Sequence, residues 1–182
     1  MKYIIASDIH GSAKYAREVL RIFEQEQADY LLLLGDLLYH GPRNPLPQDY
    51  APQEVAVVLN SLKEKIIAVR GNCDSEVDQM LLDFPIMSDS NMLPFENRKI
   101  MLSHGHVYHE ENLPKNLVAG DVFMFGHIHL PVLKVENGIH IFNPGSVSMP
   151  KEGHPNTYGV LENDQLQIKT FAGQIYRSSD IA

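Results

Sequence analysis

The sequence predicts an α/β protein of one domain, spanning residues 1–182, in which a helix-covered sheet with parallel neighbours packs against a second sheet. Three observations carry this expectation. Short runs of Ile, Leu, Val and Phe alternate with segments of helical period through the first half, and beyond Pro85 strand-like runs follow one another without that period. The 182 residues also contain no repeat, low-complexity tract or linker. A chain of this length hides roughly 70% of its unfolded surface on folding, so a core can form without a disulfide or a metal.

The elements follow in order. Tyr3 to Ala6 reads as a buried strand. Ser12 is a suitable N-cap, and Ala13, Ala16, Val19, Leu20 and Phe23 fall on one face of a helix that runs to about Gln27. Tyr30 to Leu34 is a second buried strand. Pro42, Pro45, Pro47 and Pro52 forbid a long helix or a central strand between Leu38 and Pro52, which leaves a long irregular loop of the kind that often forms a functional rim. Pro52 suits the first turn of a second helix, with Val55, Val58, Leu59 and Leu62 facing inward. Ile66 to Val69 is the third strand, followed by a short helix from Ser75 to Leu82. Beyond Pro85, Lys99 to Ser103, Asp121 to Phe125, Val132 to Glu136, Ile139 to Phe142, Thr157 to Glu162 and Gln165 to Phe171 read as the strands of the second sheet. Asn137-Gly138 is a strong hairpin signal between two of them. The tail from Gly173 to Ala182 is expected to be exposed and, with the late strands, to offer an edge for a homo-oligomer.

Composition narrows the function. Hydrophobic content of 44% with 21% charged residues is too rich for a disordered chain. The 23 acidic against 15 basic side chains, net −8, disfavour a partner bound through bulk positive charge, so long nucleic acid is not expected. A single cysteine cannot close an internal disulfide, which points to a reducing compartment. The apolar run before Ser7 is too short for a signal-peptide core, and no uncharged apolar run approaches 18 residues. A soluble, cytoplasmic protein with no membrane partner is therefore expected.

The chemistry gathers where strands end. Ser7-Asp8-Ile9-His10-Gly11, Gly35-Asp36, Arg70-Gly71-Asn72-Cys73-Asp74, Ser103-His104-Gly105-His106 and Gly126-His127-Ile128-His129 each follow a strand. Carboxyl ends of strands are where α/β folds assemble ligand sites. Taken alone, an Asp-x-His tripeptide is weak, and a strand-end Asp such as Asp36 is commonly a cap or turn former. Such elements at five strand ends are not accounted for in that way. Asp8, His10, Asp36, Asn72, His104, His127 and His129 supply oxygen and imidazole ligands without thiolate, a set suited to a first-row divalent metal. Seven ligands are too many for one small ion and suit two that share a carboxylate. Such a pair, about 3.5–4 Å apart, can hold a hydroxide and clamp the oxygens of a phosphoryl group. Two divalent ions against Asp8 and Asp36 leave the site about two charges positive, so an acidic chain can still bind an anion.

These five motifs, in this order from residue 4 to about 150, resemble the motif set of the calcineurin-like metallophosphoesterases. Length, Asn72-Cys73-Asp74, His40-Gly41-Pro42-Arg43-Asn44 and Asn143-Pro144-Gly145-Ser146 are similar to those of the small bacterial YfcE-type phosphodiesterases. The resemblance implies a β-sandwich flanked by helices, an αββα fold. It implies two divalent ions per chain, Mn²⁺ first, with Zn²⁺, Fe²⁺, Ni²⁺ or Co²⁺ also suitable. Asp8, His10 and His129 would hold one ion, Asn72, His104 and His127 the other, and Asp36 would bridge them. The implied reaction is in-line attack of a metal-bridging hydroxide on the phosphorus of a small phosphate ester, a diester in preference to a monoester. Asp36, Asn72 and His104 would carry the catalysis. An interaction scaffold of the same fold, a small phosphomonoesterase and a nuclease domain are the alternatives.

The departure is Cys73. Many relatives place a histidine there that stabilises the transition state or protonates the leaving group, and a thiol is a poor substitute. Cys73 reads either as catalytic or as a small packing residue, and His106 either as a replacement acid or as a solvated loop residue. Asp74 reads as an orienter of the ligands or a helix cap. His40, Arg43 and Arg70 stand close enough in sequence to the ligands to line a substrate mouth, where arginine's forked donors suit phosphate, or else to be ordinary surface residues. His140 alternates with Ile139 and Ile141 and reads as structural, while His109 and His154 read as solvated.

Overall fold

The computed structural model describes residues 1–181. Its first half contains β1 (Lys2–Ala6), α1 (Ala13–Gln25), β2 (Tyr30–Leu33), α2 (Pro52–Asn60), β3 (Ile66–Ala68) and α3 (Glu76–Gln79). The second half contains β4 (Ser90–Phe95), β5 (Arg98–Ser103), β6 (Val122–Met124), β7 (Pro131–Glu136), β8 (Ile139–Pro144), β9 (Thr157–Glu162), β10 (Gln165–Thr170) and β11 (Ile175–Asp180). The strands form two mixed sheets, ordered β11-β10-β9-β1-β2-β3 and β4-β5-β6-β8-β7. β1, β2 and β3 are parallel neighbours, as are β5, β6 and β8.

Alternation along the strands explains the layers. In β1, Ile4 and Ala6 face the helices while Tyr3 and Ile5 face the other sheet. In and just after β2, Leu31 and Leu33 take the helix side, and Leu32 and Leu34 the sheet side. A strand buried on both faces reads as an unbroken apolar run, which is why these two are plain in the sequence. Ser12 caps α1, whose Ala13, Ala16, Val19, Ile22 and Phe23 complete the helix-side core. The outer face of the second sheet, with Phe123, Phe125 and Ile141, is covered by the irregular stretch that carries Tyr108, Leu113 and Leu117. Among the described residues no helix is long and apolar enough to cross a membrane.

Five expectations are corrected. β9 and β10, expected in the second sheet, return to the first, where β9 pairs antiparallel with β1. The tail expected after Gly173 is exposed, but it forms β11 on the edge of that sheet, paired with β10. β4 was not expected. It is an edge strand that pairs only with β5 and tolerates Pro94 because an edge need not supply every N–H. The helix expected to reach Leu82 stops at Gln79. Pro85 disfavours helix in the residue before it, and the Gln79 side chain ties down the extended chain by donating to the Leu82 and Phe84 carbonyls and accepting from Ile86 N–H. His140 lies on the opposite strand face from Ile139 and Ile141, where burial, then the Arg98 charge, lowers its pKa. His154 is not merely solvated, since its Nδ1 meets the Tyr176 hydroxyl at 2.7 Å.

Candidate metal centre

Seven of the residues singled out from the sequence converge at the carboxyl ends of parallel strands from both sheets. Asp8 and His10 follow β1, Asp36 follows β2 and Asn72 follows β3, while His104 follows β5 and His127 and His129 follow β6. Crossing backbone bonds fix these loops, including Asp8 N–H to the Gly35 carbonyl (3.1 Å), His10 N–H to Asp36 (2.8 Å) and Gly126 N–H to His104 (2.7 Å). Five of the seven sit in the left-handed region, with φ of 59° at Asp8, 51° at His10, 56° at Asp36, 69° at His127 and 61° at His129. A residue bearing a Cβ is strained there, and strain of this kind concentrates where side-chain direction matters more than local stability.

The side-chain atoms form two groups that meet at Asp36. In the first, Asp8 Oδ1 is 3.6 Å from His10 Nε2 and 3.3 Å from His129 Nε2, and the two imidazole nitrogens are 3.2 Å apart. In the second, His104 Nε2 is 3.1 Å from Asn72 Oδ1, 3.3 Å from His127 Nδ1 and 3.4 Å from Asp36 Oδ2. The same Asp36 Oδ2 lies 3.6 Å from His10 Nε2. Its other oxygen is occupied, because Cys73 N–H donates to Oδ1 at 2.8 Å.

Tautomers follow from the outer bonds. His10, His104 and His129 each turn Nδ1 to a backbone carbonyl, those of Tyr39 (2.9 Å), Leu34 (2.6 Å) and Met149 (2.7 Å). A carbonyl only accepts, so each Nδ1 carries the proton and each Nε2 offers a lone pair to the centre. Lone pairs facing one another beside a carboxylate are repulsive unless a cation lies between them. Asp8 Oδ1 is itself buried with no hydrogen-bond partner. Ligands on an ion with metal–ligand bonds near 2.1 Å stand about 3.0–3.4 Å apart, close to the spacings seen here. The donor set therefore fits divalent metal. Without one, protons partly fill the role. Burial pulls the His104 imidazole down, but the contact with Asp36 and the charges of Asp8 and Asp36 outweigh it and carry it up to about 9. Burial likewise opposes ionisation of Asp8, but His10, His129 and the charge on His104 hold it well below the usual carboxylate range.

The support beneath the ligands was only partly visible in the sequence. Ser7 Oγ donates to Asp8 Oδ2 at 2.6 Å, and the Ser146 and Ser148 hydroxyls both donate to the Asp8 carbonyl. Asn143 Nδ2 holds the Gly126 carbonyl at 2.8 Å. The Asn143-Pro144-Gly145-Ser146 run was the available signal, but nothing in it says that it buttresses Asp8 from behind. Asp74 is an orienter and not a helix cap, the cap of α3 being Ser75. Its carboxylate accepts from the backbone N–H groups of Asp36, Leu37 and Gly71, while burial and then the Asp36 charge push it up to about 6.

The remaining candidates scatter around the rim. The Cys73 thiol lies within 4.8 Å of ligand atoms of His10 and Asp36, so it faces the centre, and burial followed by the Asp36 charge pushes it up to about 12. His106 is exposed, its ring 5.4 Å from that of His104. Arg43 and Arg70 line hollows beside the centre. His40 does not, because its ring is turned edge-on between Tyr39 and Tyr50.

This fold and ligand geometry belong to a known class of protein. Residues 1–166 match the calcineurin-like phosphoesterase superfamily domain, and the chain belongs to that superfamily. Within it, the chain is 53% identical over 168 residues to phosphodiesterase YfcE of Escherichia coli K12, covering 92% of this chain and 91% of that one. A solved structure of the E. coli YfcE phosphoesterase superposes with a TM-score of 0.98 at 49% identity over 100% of both chains. Phosphodiesterase MJ0936 of Methanocaldococcus jannaschii is 26% identical, with 93% and 97% of the two chains covered. Vps29 of Entamoeba histolytica, solved in complex with Zn²⁺, shares the fold at a TM-score of 0.68 and 20% identity over 100% of both chains.

Proposed function

We propose that the chain is a cytoplasmic, dinuclear, metal-dependent phosphodiesterase. The observation that carries this reading is Asp36 Oδ2, placed 3.6 Å from one inward-facing ligand group and 3.4 Å from the other. The 53% identity to a protein named as a phosphodiesterase supports the reaction class. Asp8, His10 and His129 would hold one ion, Asn72, His104 and His127 the other, and Asp36 would be shared between them. The oxygen and imidazole set suits a first-row divalent metal, and membership of the calcineurin-like superfamily makes Mn²⁺ the first choice among them. When bound, two such ions lower the pKa of water and neutralise the phosphoryl oxygens for in-line displacement. The chain's own part is orientation. Backbone carbonyls aim three imidazoles, Cys73 N–H fixes which oxygen of Asp36 is left for metal, and Asn72, exposed above buried His104, is the member of its group open to an arriving phosphate.

Metal analysis of purified protein, paired with hydrolysis of bis(p-nitrophenyl) phosphate and p-nitrophenyl phosphate under added Mn²⁺, tests the reading. Two metals per chain and faster diester hydrolysis are expected. Fewer than one metal with no hydrolysis returns the chain to an interaction scaffold, and a faster monoester reaction removes the diester preference.

Two further outcomes follow. With His104 at about 9 in the metal-free protein, its imidazole is protonated at pH 7 and a cation must displace the proton. Calorimetric titration of Mn²⁺ in buffers of different ionisation enthalpy should show release of about one proton per chain from this group, with affinity rising from pH 6 to 9. The His104 pKa is raised on folding, so its contribution to metal-free stability is complete below pH 6.5 and lost as pH rises through about 9. Binding with no proton release at pH 7 would contradict the assignment of His104.

The second outcome concerns Cys73, which at about 12 stays a neutral thiol and donates a proton poorly. Cys73→His should raise kcat for a diester with a basic alkyl leaving group by about 100-fold, the lower end of general-acid assistance. An activated p-nitrophenyl ester should change little. Equal gains on both esters would show that position 73 does not assist the leaving group.

A further inference from the structure

Two hollows meet at the ligand centre and share Pro42, Arg43, Asn72 and Cys73. One, of about 620 Å³, opens from Asp36, His127 and His129 toward Asn44, Lys151 and Glu152. The other, of about 720 Å³, runs between the proline-rich loop and the start of α3, beneath Tyr39, Tyr50, Pro52 and Val77, with Arg70 at its side. Each is far larger than a phosphate group and matches the volume of a pocket for an organic ligand. A monoester has one organic arm and can occupy only one of them. A diester has two.

The hollows differ in chemistry. The first is lined by Asn44, Lys151 and Glu152 toward its mouth and by Ile128 and Leu130 at its side, and it has no tyrosine or phenylalanine ring. The second also carries charged groups, among them Arg43, Arg70 and Asp78, and is set apart by the rings of Tyr39 and Tyr50, which pack edge-on at 4.7 Å and 5.3 Å against His40 behind them. Tyr39 remains 40% exposed, an uncovered ring at the wall of a cleft. Arg70 lines the same hollow and is held there by its Nε bond to the Asp74 carbonyl at 3.3 Å. An open aromatic face next to a guanidinium suits a flat π-system, which can stack on one and receive hydrogen bonds from the other.

We propose that the tyrosine-lined hollow seats one ester arm of the substrate, and that this arm carries a flat aromatic group of nucleobase size while the polar hollow receives the other arm. The proposal rests on the phosphodiesterase reading and names its substrate class.

The test is direct binding of adenosine 5′-monophosphate and of ribose 5-phosphate to the Mn²⁺-loaded full chain, followed by calorimetry. The two ligands share the phosphate and the sugar and differ in the base. The nucleotide should bind about 10-fold tighter, as one base–aromatic stack provides. That advantage should fall below about 2-fold in Tyr39→Ala and in Arg70→Ala, and persist in Tyr39→Phe and in Lys151→Ala. Truncating Tyr39 leaves its carbonyl, the partner of His10 Nδ1, in place. Equal affinity for the two ligands overturns the proposal. So does an advantage that survives both truncations, or one lost in Lys151→Ala, which would seat the base in the polar hollow. Diester hydrolysis without base preference removes this proposal alone. Base preference without diester hydrolysis removes the phosphodiesterase reading and leaves the hollow's specificity standing.

Discussion

Asp36→Asn is expected to lower kcat for diester hydrolysis by about 1000-fold and to cost the protein bound metal, the scale at which removing a key electrostatic group acts. The direction follows from which oxygen is already engaged. Cys73 N–H donates to Oδ1, so an asparagine keeps its carbonyl oxygen there and swings its NH₂ into the place of Oδ2. Two protons would then point at His10 Nε2 and His104 Nε2, where a shared lone pair had been. Both groups lose a ligand through one substitution. Metal content by mass spectrometry and turnover under saturating Mn²⁺ should fall together. A variant that retains two metals and near wild-type rates would sink the bridging role.

Gly126→Ala should be nearly as damaging through packing. A Cβ at position 126 would land on the Ser7 hydroxyl and lie 3.0 Å from both Ser7 Cβ and Asp8 Oδ2. The backbone cannot retreat, since Gly126 N–H bonds the His104 carbonyl at 2.7 Å and its own carbonyl accepts from Asn143. Overpacking of this kind costs about 2–3 kcal/mol, a drop of about 5–10 °C in Tm for a chain of this size. The displaced Asp8 should also lower metal content. Gly153→Ala is the control. Gly153 has a positive φ of 76°, but nothing lies within 4 Å of its Cβ position, so backbone strain of about 1 kcal/mol should leave metal content intact. If both variants keep full metal content, the close approach of Gly126 does not position Asp8.

How much of this was legible in the sequence depended on what each element buries. β1 and β2 were plain because both faces are covered and every residue from Ile4 to Ala6 and Leu31 to Leu33 is apolar. β4 and β11 were not, since β4 carries Pro94 and β11 exposes nearly every side chain, so neither shows dependable apolar alternation, whereas the edge strands β3 and β7 keep Ile66-Ile67-Ala68 and Val132-Leu133. The return of β9 to β1 was hidden for another reason: strand character is local, whereas the choice of sheet is set by which apolar faces meet, here Leu161 and Leu166 against the second sheet's Phe142. At the centre, ligand identities were visible as residue types after strands. The left-handed φ at Asp8 or His129 was not, because neither is a glycine or asparagine that would announce it. Nor could spacing reveal that the Met149 carbonyl sets the His129 tautomer.

The ligands also have a mechanical meaning. On the proposed assignment, Asp8 and His10 come from the first sheet and His129 from the second, while Asn72 comes from the first and His104 and His127 from the second. Each ion would thus be a rivet through both plates of the sandwich at its open end, where β1, β2 and β3 stop facing β5 and β6. Losing metal would then loosen the sandwich at that end alone, while the apolar layer of Ile5, Leu32, Leu102 and Phe142 keeps the plates together beneath it.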